Sequence, residues 1–145
     1  MSELALQGNM PEILAIESWI KDNADQEEML KTTELNHYRI PGVYARELKL
    51  KAGTILTGKI HNFESIGILS QGRMRILTSD GAFIVEAPFM TVDKPGIKRL
   101  GVCETDCTFV SVHRTDADTI EDIEDELVSD TFEEFELKRL DRSSV

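Results

Sequence analysis

The chain has 145 residues, of which 41% are hydrophobic and 30% are charged, so its length and composition predict one ordinary globular domain. No apolar run approaches the roughly 18 residues of a membrane-spanning helix, and the net charge of −11 argues against general nucleic-acid binding. The two cysteines, Cys103 and Cys107, are too few for a structural zinc site and are expected to be thiols.

The charge divides the chain into three segments. Residues 1–36 carry a net charge of −6, residues 37–101 carry +5 and residues 102–145 carry −10. Together with the pattern of elements below, this predicts an acidic helical N-terminal arm over 1–36, a β-barrel over 37–115 and an acidic helical C-terminal arm over 116–145. The arms either are solvated helices that keep the protein soluble, or they lie against basic surface of this chain or a neighbour.

The N-terminal arm is expected to contain one amphipathic helix over residues 10–22. Asn9 is a candidate cap, and Pro11 takes an early helical position. Apolar residues then recur on one face at helical spacing, at Ile13, Ile16, Trp19 and Ile20. This face packs either onto its own domain or onto a second subunit. Residues 24–36 are expected to be irregular or to form a short helical turn.

From Tyr38 to Arg114 the sequence changes to short β-branched runs separated by turn signals, which is typical of an antiparallel barrel or sandwich. The predicted strands are Val43–Leu50, Thr54–His61, Ser65–Leu69, Arg73–Thr78, Ala82–Glu86, Phe89–Val92, Lys98–Gly101 and Thr108–His113. Turn signals lie at Pro41-Gly42, Ala52-Gly53, Gln71-Gly72, Asp80-Gly81 and Pro95-Gly96. Of these, Asp80-Gly81 is the strongest hairpin signal.

The pattern becomes helical again after Thr115. A helix is predicted over residues 117–128, with Asp116 or Asp118 as its cap. Its apolar face consists of Ile120, Ile123, Leu127 and Val128. Phe132, Phe135 and Leu137 continue an apolar stripe after a break near Ser129-Asp130.

Within the barrel segment, Gly53 and Gly72 enclose Lys59, His61 and Ser65 at a definite spacing. The spacing resembles the first motif of single-domain cupins, which are small jelly-roll barrels. That motif reads Gly, five residues, His-x-His, three or four residues, Glu, six residues, Gly. Lys59 takes the place of the first His and Ser65 that of the Glu. His61 is therefore the only metal ligand of this motif that is present.

A second stretch, with Pro88, the turn Lys94-Pro95-Gly96, Arg99 and Cys103, resembles the second cupin motif. Arg99 takes the place of the fourth ligand, a His, and Cys103 that of an Asn. The resemblance covers half the chain. It implies an all-β core in the form of an antiparallel cupin-like jelly-roll barrel, with flanking N- and C-terminal α-helices. A cyclic-nucleotide-binding jelly roll is the alternative.

A wider resemblance is to cupin-like proteins of unknown function encoded by tailed bacteriophages. It is carried by the segment His61–Gly72, by Glu86-Ala87-Pro88 and by Pro95-Gly96-Ile97-Lys98-Arg99. His113-Arg114-Thr115-Asp116, which runs into an acidic helix, adds to it. This resemblance implies a phage-encoded protein of the host cytoplasm or of the virion.

The cupin resemblance implies that Lys59, His61, Ser65 and Arg99 converge in the barrel. Lysine and arginine are cations at neutral pH and would repel a divalent metal, since unit charges about 4 Å apart interact by roughly 4 kcal/mol. No metal and no other cofactor is therefore expected. Two cations, an imidazole and a hydroxyl suit a small anion that bears a phosphate or a carboxylate.

The alternative to anion binding is that Lys59 and Arg99 reach the rim of the barrel and pair with carboxylates there. The candidate partners are Glu64, Glu86 and Asp93, of which Glu86 is the best internal one.

No catalytic constellation emerges from the sequence. Ser65 and Ser70 lack a base, and the two cysteines are expected to be strand-end residues rather than nucleophiles. His113 is expected at a strand end or on the surface.

Three functions stay open. The first is a non-catalytic protein that binds a small anionic molecule, with phage counter-defence by sequestering a nucleotide signal as one use. The second is a virion structural or assembly protein that uses its arms for contacts, and the third is a metal-dependent cupin enzyme. The first residues show no signal peptide, which predicts a cytoplasmic protein with neither nucleic acid nor membrane as a partner. A homo-oligomer, most simply a dimer, is expected because small barrels have open edges.

Overall fold

The computed structural model describes residues 33–78 and 81–143 of the chain. The elements, in chain order, are β1 (Thr33–Ile40), β2 (Gly42–Leu50), β3 (Ile55–Thr57), β4 (Ile60–His61), β5 (Ser65–Gln71), β6 (Arg73–Thr78), β7 (Gly81–Glu86), β8 (Phe89–Asp93), β9 (Leu100–Cys103), β10 (Cys107–Thr115), α1 (Ile120–Leu127), β11 (Val128–Ser129) and α2 (Phe132–Ser143). The predicted helix over residues 10–22, with Trp19, lies outside the described residues, and so does Asp80 of the predicted hairpin turn.

The strands form two larger sheets and one short ribbon. The five-stranded sheet has the order β1-β2-β10-β5-β8, the four-stranded sheet has the order β3-β9-β6-β7, and β4 pairs with β11. All strand pairs in the described ranges are antiparallel. This confirms the predicted antiparallel all-β core, with α1 and α2 following the last long strand.

The core lies between the two larger sheets because alternate residues of each strand point inward. Leu48 and Leu50 of β2 and the completely buried Leu69 of β5 come from one sheet. They pack with Met74 and Ile76 of β6 from the other sheet. Apolar packing therefore fills the barrel at the Leu50 end of β2, while the Tyr44 end borders a cavity.

Gly72 makes the tight turn between β5 and β6. Its φ of +95° lies in a region that side chains with a Cβ avoid. A Cβ at this position would also overlap the backbone carbonyl oxygen of Asp106. The predicted turn at Gln71-Gly72 therefore depends on glycine for two independent reasons.

The structure differs from the sequence prediction at β1. Residues 33–36 were expected to be irregular or helical, but Thr33–Ile40 pairs along its whole length with β2, from Thr33↔Leu50 to Ile40↔Val43. The strand is an edge strand, so it needs hydrogen bonds on one side only and can carry polar side chains. Its polar sequence therefore gave no strand signal.

A second difference lies in the predicted strand Thr54–His61. It is divided into β3 and β4, because the chain leaves the four-stranded sheet at Gly58 and Lys59. The backbone N–H of Gly58 donates to the carbonyl of Arg99, at 3.0 Å. The next predicted strand, Lys98–Gly101, is shifted and runs as β9 from Leu100 to Cys103.

Helix α1 begins later than predicted and is capped by Thr119, not by Asp116 or Asp118. The hydroxyl oxygen of Thr119 accepts from the backbone N–H of Asp122, at 3.1 Å. Ile123 and Leu127 of α1 are buried with Tyr44 in a second apolar cluster. The helix therefore covers the end of the barrel opposite the main core. Neither α1 nor α2 has the length and the apolar run needed to cross a bilayer.

Candidate functional site

A cavity of about 250 Å³ lies inside the barrel, beneath α1. Its walls come from both large sheets and from the helix that covers the end. The side chains that matter for its chemistry are Tyr44, Arg46, Lys59, His61, Arg99, Ser111 and His113. Three of the four predicted site residues therefore line this cavity, namely Lys59, His61 and Arg99. The fourth, Ser65, does not line it but is hydrogen-bonded to His61.

The register of β2 and β10 arranges the cavity wall in layers. Leu48 is opposite Phe109, Arg46 is opposite Ser111 and Tyr44 is opposite His113. Opposed residues of an antiparallel pair point to the same face of a sheet. An apolar layer is therefore followed by a cationic layer and then by an aromatic layer beneath α1.

His61 and His113 meet in the layer beneath α1. Their ring centroids are 5.7 Å apart in an edge arrangement, and Nδ1 of His61 is 3.1 Å from the hydroxyl oxygen of Ser65. Burial lowers the pKa of His61 to about 4, helped by the neighbouring His113 and Arg99. Burial, with the charge of Arg46, also lowers the pKa of His113 to about 4. Both imidazoles are therefore neutral at neutral pH.

His113 was predicted at a strand end or on the surface; it lies near the end of β10, but the surface alternative is wrong. The residue is 8% exposed and lines the cavity, stacked at 6.1 Å from Tyr44. The tyrosine hydroxyl in turn lies 2.5 Å from Nδ1 of His37 on the edge strand. His113 lies two residues from the end of β10, so its position in the strand was predictable, but the helix that buries it was not.

Arg99 is paired inside the barrel. Its guanidinium donates to the carboxylate of Asp93, which is 3% exposed. It also lies over the ring of Phe109, 5.5 Å from the centroid. Burial raises the pKa of Asp93, and the Arg99 charge opposes that rise. Asp93 was one of the predicted partners, whereas Glu86 lies near Arg73 instead, at 3.7 Å.

Lys59 lies at the mouth of the cavity rather than inside it. Its side chain is 53% exposed, and its ammonium group is 3.3 Å from a carboxylate oxygen of Asp130. Of the two alternatives left open by the sequence, Lys59 inside the barrel or at its rim beside a carboxylate, the structure has the second, with Asp130 rather than a predicted partner. Gly58 and Lys59 belong to neither β3 nor β4, so strand alternation does not turn Lys59 inward. Glu64, another candidate partner, is exposed and pairs with Lys94 at 3.6 Å.

Arg46 is the site residue that sequence reasoning missed. Its Nε is buried against the cavity and has no hydrogen-bond partner. No ion pair to Arg46 is formed within residues 33–78 and 81–143 either. Alternation along β2 places residue 46 on the same face as the buried Tyr44 and Leu48, so the strand pattern itself could have indicated it.

The donor set does not fit the divalent metal that a cupin site would hold. Only two imidazoles are available, and two guanidiniums lie beside them. No group of three or more His, Cys, Asp or Glu side chains that could hold a metal occurs in the part of the chain that the structure describes. A dication here would meet repulsion from both arginines, and the one carboxylate in the described lining, that of Glu124, makes no three-ligand group with the two imidazoles.

The environment of Cys103 does not favour a thiolate. Both are free and buried, in agreement with the predicted thiols. Burial and the neighbouring Cys107 raise the pKa of Cys103 to about 12. Since the thiolate is the reactive form, Cys103 is inert at neutral pH.

Comparisons with known proteins bear on the fold. No protein-family model matches the chain, and no curated protein is similar to it at a significant level. Among solved structures, KdgF from a Halomonas species is similar with a TM-score of 0.52 at 14% identity, over 61% of this chain and 83% of the other. A cupin family protein of RmlC-like type with a double-stranded beta-helix fold, from Methanocaldococcus jannaschii, gives a TM-score of 0.50 at 15% identity, over 59% and 83%.

A putative ethanolamine utilization protein Q from Salmonella typhimurium gives a TM-score of 0.50 at 12% identity, over 59% of this chain and 71% of the other. At such low identity these similarities describe the fold alone. The chain therefore has the cupin fold, as its two motifs predicted.

Proposed function

We propose that the protein is a non-catalytic cupin-fold protein that binds a small anion inside the barrel. The observation that carries this proposal is Arg46, a charged donor whose buried Nε borders the cavity without a partner in the described residues. Leaving a buried donor unpaired costs roughly 1–3 kcal/mol, and more for a charged group. An anion in the cavity would remove that cost.

The residues predicted from the sequence would contribute to anion binding in different ways. Arg99 is held by Asp93 but has further N–H groups to offer. Lys59 at the mouth would attract anions, since exposed charges raise the local concentration of ligands of opposite sign. Ser65 orients His61, whose neutral ring can donate or accept one hydrogen bond.

A phage origin, and a counter-defence role in which the protein sequesters a nucleotide signal, rest on the sequence resemblance of His61–Gly72 and its companion segments. They remain predictions, and so do a homo-oligomer and a place in the virion.

The test is a thermal-shift screen of phosphate, nucleotides, cyclic nucleotides, monocarboxylates and dicarboxylates. The variants are Arg46→Gln and, as a matched control, Arg114→Gln, because Arg114 is an exposed arginine outside the cavity. Arg99→Ala is a poorer probe, since it would leave the buried Asp93 without its partner. An anion present at a hundredfold its Kd stabilises by about 2.7 kcal/mol, which raises the Tm by roughly 5–10 °C.

The expected result is a Tm increase in the wild type and in Arg114→Gln that is lost in Arg46→Gln. The proposal is wrong if no anion raises the Tm of the folded wild type, or if Arg46→Gln keeps the full increase.

A further inference from the structure

The cavity wall beyond the Arg46 layer is apolar. It is formed by Leu48, Leu56, Met74, Ile76, Leu100 and Phe109. None of these side chains carries a group that needs water, and the Arg99 guanidinium over the Phe109 ring is paired with Asp93, so this part of the cavity favours hydrocarbon over a solvated group. A ligand anchored at Arg46 and filling the space must therefore have an apolar part on that side.

The cavity volume limits the size of the ligand. An apolar cavity of about 150 Å³ holds one benzene ring. By that ratio, the 250 Å³ here holds about ten non-hydrogen atoms. A nucleotide has roughly twice that number, so about half of it would have to lie outside the mouth of the cavity.

Of the three cations that line the cavity, two are in ion pairs. Arg99 is paired with Asp93, and Lys59 is close to Asp130. Arg46, the third, forms no ion pair within the described residues, and Glu124 at the edge of the cavity would repel a second negative charge on the ligand. A single carboxylate also matches the planar fork of one guanidinium, with the Ser111 hydroxyl opposite in register.

We infer that the ligand is a monocarboxylate with an apolar body, bound through Arg46 with its body against the Leu48–Phe109 layer. This inference rests on the proposed anion site and adds to it the chemical class of the ligand. The lowered pKa values of His61 and His113 support it, because neutral imidazoles add no positive charge that a second negative charge on the ligand would have to neutralise.

The experiment is calorimetric titration of the full chain with acetate, butanoate, hexanoate, octanoate and dodecanoate. Octanoate has about ten non-hydrogen atoms and should bind most tightly. Affinity should rise by up to about fourfold per methylene before that length, and should stop rising beyond it. Three further compounds serve as comparisons. Inorganic phosphate tests the choice of headgroup, adenosine monophosphate tests the size limit, and 1-octanol tests whether a negative charge is needed.

Three variants separate the contributions. Arg46→Gln should weaken octanoate binding at least about tenfold, whereas Arg46→Lys, which keeps the charge but not the planar fork, should lose less. Leu56→Phe, which fills part of the apolar wall, should move the preference to a shorter chain. Ile84→Phe is its control, because Ile84 is 56% exposed on β7 and outside the cavity.

The outcomes distinguish the inference from the proposed function. If phosphate or acetate binds through Arg46 as tightly as octanoate, the anion site stands and the inference about an apolar body is wrong. If the nucleotide binds best through Arg46, the inference is wrong again. If no anion binds, or if 1-octanol equals octanoate and Arg46→Gln has no effect, both the proposed function and the inference fail.

Discussion

Acidification should destabilise the protein well above the pH at which carboxylates titrate. His61 and His113 have pKa values of about 4 in the fold, against 6.5 for an unperturbed histidine. Between these two pKa values the unfolded chain binds more protons than the folded chain does. The free energy of unfolding therefore decreases as the pH is lowered. The stability that these two residues contribute is fully present above pH 6.5 and is lost as the pH falls towards 4.

The size of the effect follows from these pKa values. The contribution of each histidine to the free energy of unfolding is about 2 kcal/mol smaller at pH 5 than at pH 7.5. For the pair the decrease is about 4 kcal/mol. Solvent screening at the partly exposed His61 reduces its share. Arg46 and Arg99 stay charged throughout this range, and Asp93, whose pKa is raised by burial, acts in the opposite direction by binding a proton more readily in the fold. A loss of this size is a large part of typical domain stability, about 5–15 kcal/mol.

The assay is urea unfolding followed by far-UV circular dichroism at pH 7.5, 6.5, 5.5 and 5.0. The double variant His61→Gln, His113→Gln should lose most of the pH dependence over this range. His37→Gln should keep it, since His37 lies outside the cavity and leaves the buried pair intact. The reasoning is refuted if the wild type is equally stable at pH 7.5 and 5.0, or if the double variant shows the same loss.

Three further predictions follow from the fold and the site. Gly72→Ala should cost at least about 2 kcal/mol in urea unfolding, because of its positive φ and the overlap with Asp106; a change below about 0.5 kcal/mol contradicts this. Elemental analysis should find no stoichiometric zinc, iron, manganese or nickel; about one metal per chain that His61→Ala removes would show a metal site. Light scattering at micromolar concentration should give the mass of a dimer for the wild type and a lower mass for Trp19→Ala. A monomer mass for both proteins contradicts the predicted assembly.

Local patterns in the sequence predicted most of the barrel. Arg73–Thr78 was predicted with its observed bounds, and the turn at Gln71-Gly72 was recognised from its glycine. These features are decided by neighbours in the chain, through strand alternation and through backbone conformations that glycine alone adopts easily. The spacing of Gly53, His61 and Gly72 likewise indicated the cupin fold before any strand pairing was known.

Tertiary structure alone decided β1 and the partners of the cations. Thr33–Ile40 becomes a strand because β2 offers it hydrogen bonds, not because its own side chains favour one. Lys59 meets Asp130, which is 71 positions away in the chain, and no spacing rule connects the two.

The chemistry of the cavity depends on the same long-range pairing. Strand alternation could have shown that Arg46 shares a face with Tyr44 and Leu48, but not that no carboxylate of the described chain pairs with it. His113 becomes a buried, neutral group only because α1 folds back over the end of the barrel. Burial and ion pairing are set by what the fold brings opposite a residue, and that information lies in strand register and helix docking rather than in any local run of sequence.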